Sequence, residues 1–158
     1  MITRLNYKKA IDVYEFLNRV PDKFEEIFVT SNRERKYLKG NLKLIKKILN
    51  TFQVYGKYEK ELKSIVIIQN EKGFRSYIKV LGETTEDCLA LLRFIKWNYA
   101  EKELFAKLKK DNPISKRISE EGFIPVADRG REQLYKKSIY KMRPLIIKEG
   151  DEDANYRN

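Results

Sequence analysis

Apolar residues recur along this chain with two periods, and the switches between them mark its elements. Ile2-Thr3-Arg4-Leu5 reads as a short strand. Asn6 then stands where a helix cap belongs, and Ala10, Val13, Tyr14, Phe16, Leu17 and Val20 follow at helical spacing until Pro21-Asp22 stops them. Phe24 to Thr30 is apolar without a decided period. Leu38, Leu42, Ile45, Ile48 and Leu49 resume the helical spacing, and Gly40 weakens the first part, so this reads as one helix or two short ones.

From Phe52 the period becomes two. Residues 52–58 and 63–69 read as strands, Asn70-Glu71-Lys72-Gly73 as a hairpin turn, and Phe74 to Val80 as a third strand. Its alternation is imperfect, which predicts burial on both faces at the middle of a mixed sheet. A helix from about Thr85 presents Leu89, Leu92, Phe94, Ile95 and Ala100 to that sheet. Residues 103–108 form a further strand. Asn112-Pro113 opens a short helix that Gly122 closes, and strands at 123–126 and 132–137 flank Asp128-Arg129-Gly130-Arg131. The order is β-α-α-β-β-β-α-β-α-β-β. No repeat or linker divides it, so residues 1–148 are expected to form one α/β domain, with 149–158 a polar, flexible tail.

Composition removes several chemistries. The chain has no histidine, which excludes the commonest general base and the usual zinc sites. Its one cysteine, Cys88, excludes an internal disulfide. No apolar run is long enough to span a bilayer and no apolar leader opens the chain, so a protein of the cytoplasm, or of a virion if of phage origin, without a membrane contact is expected. The net charge of +11 points to a partner with negative charge, a nucleic acid or an acidic protein surface. Arg33, Lys36, Lys39, Lys43, Lys46 and Lys47 are expected to form a basic helical stripe serving as the binding face. Richness in Lys, Ile, Asn and Tyr suits a low-GC bacterium or one of its phages.

Across residues 2–140 the order of elements resembles the GNAT superfamily of acetyl-CoA-dependent N-acetyltransferases. Phe74 to Val80 falls where that family has its central, cofactor-contacting strand, and Asn112 followed by Glu121-Gly122-Phe123 resembles its Asn…Tyr-x-x-x-Gly-Phe segment. The resemblance implies a mixed central sheet flanked by helices and an Arg/Gln-x-x-Gly-x-Gly/Ala loop. Backbone N–H groups of such a loop hold the cofactor pyrophosphate at a helix N-terminus. This chain has Gly82-Glu83-Thr84-Thr85-Glu86-Asp87 there instead, with one glycine and three carboxylates. Thr84 and Asp87 fit a capping box that uses the same donors internally. The family's acidic tyrosine falls on Ile118, which has no proton to give.

No catalytic residue is assigned. Glu59, Glu61 and Glu83 are the candidate bases, each more simply a surface carboxylate. Ser115 and Ser119 have nothing to activate them, and Cys88 follows carboxylates that oppose a thiolate. Glu83, Glu86 and Asp87 are explained by helix capping rather than by a metal. The sequence therefore reads as a GNAT-like protein whose cofactor loop, Gly82, Glu83, Thr84 and Thr85, has degenerated, acting without a cofactor as a binding or structural module. The alternative is an active N-acetyltransferase that uses acetyl-CoA through an atypical loop.

Overall fold

The computed structural model describes residues 1–30, 32–70 and 73–139. The expected boundary at 148 and the tail at 149–158 lie outside them. In chain order the elements are β1 (Ile2–Arg4), α1 (Ala10–Arg19), β2 (Phe28–Val29), β3 (Arg35–Lys36), α2 (Leu42–Thr51), β4 (Gln53–Glu59), β5 (Glu61–Asn70), β6 (Arg75–Gly82), α3 (Thr85–Asn98), β7 (Glu103–Lys109), β8 (Ile124–Arg129) and β9 (Glu132–Lys137). Seven strands make one mixed sheet in the order β1-β4-β5-β6-β7-β9-β8. β6 sits at its middle, antiparallel to β5 and parallel to β7. The strand expected at 74–80 is therefore central.

The sheet is covered on both faces. On one, Val13 of α1 and Ile45, Ile48 and Leu49 of α2 close over Val54, Ile65 and Ile67. On the other, α3 lays Phe94 against Tyr55, with ring centroids 5.1 Å apart, and Tyr99 donates to Gln53 at 2.6 Å. Along β6, Ser76, Ile78 and Val80 are buried while Tyr77 is exposed, so the strand begins with one clean face. Burial on both faces is confined to its end, where Val80, Leu81 and Gly82 are all buried.

Three expectations are corrected. The basic residues 33–39, expected to be helical, are not; the segment of undecided period before them leaves a 3₁₀ turn at Asp22–Phe24 and runs into a strand. β2 and β3 pair as a small separate hairpin, Phe28 opposite Lys36 and Val29 opposite Arg35. The second helix begins only at Leu42, because Gly40 takes a positive φ of 73° and Asn41 caps the helix, accepting from Leu44 N–H at 3.1 Å. The short helix after Asn112 is two 3₁₀ turns, Pro113–Lys116 and Ile118–Glu121, ending at Gly122.

Candidate functional site

Two neighbouring places along β6 have the makings of a site: the N-terminus of α3, and the gap where β6 and β7 stop pairing.

At the first, β6 hands over to α3 through Gly82, Glu83 and Thr84. A Cβ on Gly82 would stand 2.5 Å from Cys88 Sγ and 3.1 Å from Ser64 Cβ. The glycine is thus required for close packing of strand against helix, and its bareness is consumed by the protein itself. Thr84 caps α3. Its hydroxyl accepts from Asp87 N–H at 3.2 Å and donates to Asp87 Oδ2 at 2.8 Å, and Glu83 N–H is held by Lys63 O at 3.1 Å. Each carboxylate of the loop has its own cation. Glu83 meets Arg19 Nε at 3.3 Å, Asp87 meets Lys57 Nζ at 2.7 Å, and Glu86 pairs with Arg117. The acidic first turn thereby complements the helix dipole and ties α3 to α1, β4 and the first 3₁₀ turn. Thr85 opens the helix behind the Thr84 cap.

At the second, β6 and β7 pair only from Arg75 opposite Glu103 to Ile78 opposite Ala106, although β6 runs on to Gly82 and β7 to Lys109. Side chains fill the parting. Lys79 Nζ donates to Lys107 O at 3.0 Å and lies 3.7 Å from Glu26. Glu26, fully buried, accepts from Lys109 N–H at 3.1 Å and from Asn112 Nδ2 at 2.7 Å. Asn112 Oδ1 in turn accepts from Ile114 N–H at 3.0 Å, so one side chain caps the 3₁₀ turn and anchors Glu26. Backbone groups that the parting leaves without a strand partner are satisfied by these two charged side chains. Burial raises the Glu26 pKa, opposed first by Lys79; burial likewise lowers that of Lys79, opposed first by Glu26.

A second buried carboxylate follows on the same edge. Glu132, opposite Lys109 in register, receives Arg35 Nη2 at 3.1 Å and Lys107 Nζ at 3.9 Å on one oxygen. The other oxygen, Oε2, is buried without a hydrogen-bond partner.

The basic residues singled out in the sequence do not form one helical stripe. Only Lys43, Lys46 and Lys47 lie on α2, exposed together on one face. Arg33 sits at the β2–β3 turn with a φ of 62°. Lys36 belongs to β3 and pairs with Glu34 at 3.5 Å. Lys39 lies ahead of the helix, 3.9 Å from both Asp22 and Glu25. Lys36, Lys43 and Lys47 do line one shallow hollow of about 250 Å³ between hairpin and helix. The sequence marked Gly40 as a point where the helix could divide, but not that the part before it is no helix, and so not the bent path that brings Lys36 round to α2.

The remaining candidates are absorbed by structure. Glu59 pairs with Lys57, and Glu61 lies 3.5 Å from Arg19; both are exposed. Ile118 is core. Ser115 donates to Asn112 O at 2.7 Å. Cys88 is buried, and that burial above all pushes its thiol well above the ordinary range. Among the described residues no group of three or more acidic or cysteine side chains is arranged to hold a metal ion. No described helix is long and apolar enough to cross a membrane.

Sequence reasoning passed over Glu26, Lys79 and Glu132. The available signal was a charge inside an apolar run: Lys79 alone between Ile78 and Val80, and Glu25-Glu26 between Phe24 and Ile27. A buried charge implies a partner. Which partner depends on the parting of β6 and β7, and no local pattern encodes that.

No protein-family model and no curated protein matches the sequence. Solved structures do match the fold. An N-acetyltransferase from Staphylococcus aureus superposes with a TM-score of 0.66 at 18% identity, covering 88% of this chain and 97% of its own. The GNAT domain of PAT from S. lividans gives 0.65 at 12%, covering 85% and 88%. The PaiA N-acetyltransferase from Thermoplasma acidophilum, solved with coenzyme A, gives 0.62 at 9%, covering 87% and 97%. The chain has the GNAT acyl-CoA N-acyltransferase-like fold, as the order of its elements implied.

Proposed function

We propose that this protein is a GNAT-fold binding module that does not hold acetyl-CoA at the α3 N-terminus and meets a polyanion or an acidic protein through its basic surface. One observation carries the first half: Thr84 caps α3, its hydroxyl bonded to both the N–H and the carboxylate of Asp87, while Glu83, Glu86 and Asp87 each keep a cation of the protein's own. A pyrophosphate at this place has to displace the cap and stand among three carboxylates. Each close pair of like charges costs about 1–4 kcal/mol at surface-like dielectric. The residues present do not fit that group. Lys79 and Glu26 add to this, since they already use backbone groups of the parted strands.

The second half is supported by Lys43, Lys46 and Lys47, exposed side by side and, among the described residues, without an ion-pair partner. Cations of this kind bind phosphate backbones by counterion release, with little sequence preference and a steep loss with salt. The test is binding of duplex DNA, single-stranded RNA and an acidic polypeptide at about 50 mM salt, by the parent and by a Lys43→Gln, Lys46→Gln, Lys47→Gln variant. The variant is expected to bind more weakly and with a shallower salt slope. Equal binding by parent and variant contradicts the role of α2.

A second reading, an active N-acetyltransferase with an atypical loop, is favoured by the similar structures, which are named as acetyltransferases, one of them in complex with coenzyme A. The two readings separate on the affinity for acetyl-CoA.

A further inference from the structure

A wide cleft lies away from the α2 lysines. It opens between the β2–β3 hairpin, the end of β7 and the β8–β9 turn, and holds about 630 Å³. That is the size of a small-molecule site. Arg35 and Arg131 both line it, with Lys109, Lys110 and Asp111 at the end of β7 and Glu132 beside Arg131. Cations outnumber carboxylates around it, so an anion is attracted.

Two features make it more than a basic depression. The first is Glu132, a carboxylate only 4% exposed whose Oε2 has no partner. Buried acceptors are nearly always paired, with protein groups or with ordered water, so this oxygen is left to a donor that the chain itself does not supply. Arg35 and Lys107 already serve the other oxygen, so the negative charge is offset while the acceptor capacity is left over. The second is Tyr37, which lines the cleft at 48% exposure. Its ring is a flat apolar surface beside arginines, the combination on which nucleobases stack.

Arg131 supplies the third element. It is exposed and, among the described residues, has no ion-pair partner, whereas Lys110 is engaged with Asp128 at 2.7 Å. Its guanidinium is free to take a phosphate through two parallel hydrogen bonds. A ligand answering all three features carries a phosphate, a flat ring and a hydroxyl or amino donor. Inorganic phosphate has no ring, and a phosphorylated sugar has no flat one to stack.

We propose that this cleft binds a nucleoside phosphate, its phosphate on Arg131, its base on Tyr37 and a sugar hydroxyl or base amino group donating to Glu132. The ligand chemistry has two sources, a free mononucleotide or a nucleotide within an RNA strand. The site stands independently of the α2 surface.

The experiment is titration of the full chain with the four ribonucleoside 5′-monophosphates, ribose 5-phosphate, inorganic phosphate and a short single-stranded RNA. It is repeated on Arg131→Gln, Glu132→Gln and Tyr37→Ala. At least one mononucleotide or the RNA is expected to bind below about 1 mM. Arg131→Gln and Glu132→Gln are each expected to weaken that binding about tenfold, the loss of one charge-assisted hydrogen bond. Tyr37→Ala is expected to weaken the nucleotide and leave ribose 5-phosphate unchanged. Tighter binding of mononucleotide than of RNA, per site, assigns the free ligand, and the reverse assigns the strand. Melting curves distinguish a lost contact from a lost fold for Glu132→Gln; Arg131 and Tyr37, being exposed, carry the test if that variant unfolds. No binding by any nucleotide probe, binding no tighter than inorganic phosphate, or affinities that neither Arg131→Gln nor Tyr37→Ala changes overturn the proposal.

Discussion

Lys79 Nζ lies 3.7 Å from a carboxylate oxygen of Glu26, and the two meet in the gap where β6 and β7 have ceased to pair. Each is desolvated, so each depends on the other. Glu26→Ala removes the acceptor of Lys109 N–H and Asn112 and leaves the buried Lys79 ammonium without its nearest carboxylate, held by the Lys107 carbonyl alone among its hydrogen bonds. The expected cost is about 3–5 kcal/mol. In Glu26→Ala/Lys79→Met the unopposed charge is gone, and urea unfolding is expected to show a coupling of about 1–3 kcal/mol between the sites. Strictly additive losses contradict the pairing.

The same pair sets a pH dependence. Burial holds the Glu26 pKa above its ordinary 4.5, so between 4.5 and its raised value the folded protein binds more protons than the unfolded chain. Its contribution to stability is complete below pH 4.5 and is lost as pH rises through the folded value. Lys79 is held below 10.5, and its contribution has the opposite sign, growing with pH within a window that ends at 10.5. Relative to Glu26→Gln, the parent is expected to be most favoured at the acid end, and melting temperatures from about pH 4.5 to 7 measure this. A difference that grows with pH contradicts the assignment.

The arrangement of elements was legible because strong local signals coincide with it. Period-two runs, the Asn112-Pro113 and Thr84 caps and the glycine at 122 all mark real boundaries. The β2–β3 hairpin was not legible, since two-residue strands leave no periodicity and Arg35-Lys36 looks like any solvated charge run. Gly40 was read as a weak helix position when its positive φ makes it a stop. At the α3 N-terminus the sequence already showed the Thr84–Asp87 cap, because a helix cap is a local feature. The Lys79–Glu26 and Arg35–Glu132 contacts were hidden because they join distant segments.

Gly82 is expected to tolerate no side chain. Gly82→Ala places a methyl 2.5 Å from Cys88 Sγ, an overpacking that costs about 1–3 kcal/mol. Adding Cys88→Ala is expected to restore part of the loss, since Ser64 Cβ at 3.1 Å still crowds the position. Thermal unfolding of the two variants beside the parent checks it, and no loss in Gly82→Ala contradicts the packing role.

The Thr84 cap has its own signature. Thr84→Ala removes the acceptor for Asp87 N–H and the donor to Asp87 Oδ2, and is expected to cost about 1 kcal/mol. If the cap also keeps the helix N-terminus closed to anions, Thr84→Ala combined with Glu83→Gln and Glu86→Gln is expected to gain affinity for pyrophosphate over the parent. Isothermal titration with pyrophosphate measures this, and equal affinities contradict it.

The central claim is that the α3 N-terminus is closed to a pyrophosphate by the protein's own cap and carboxylates. Calorimetric titration of the parent protein with acetyl-CoA at physiological salt tests it most directly. The account predicts no saturable heat up to about 1 mM ligand. Saturable binding in the low micromolar range contradicts it and establishes the acetyltransferase reading in its place.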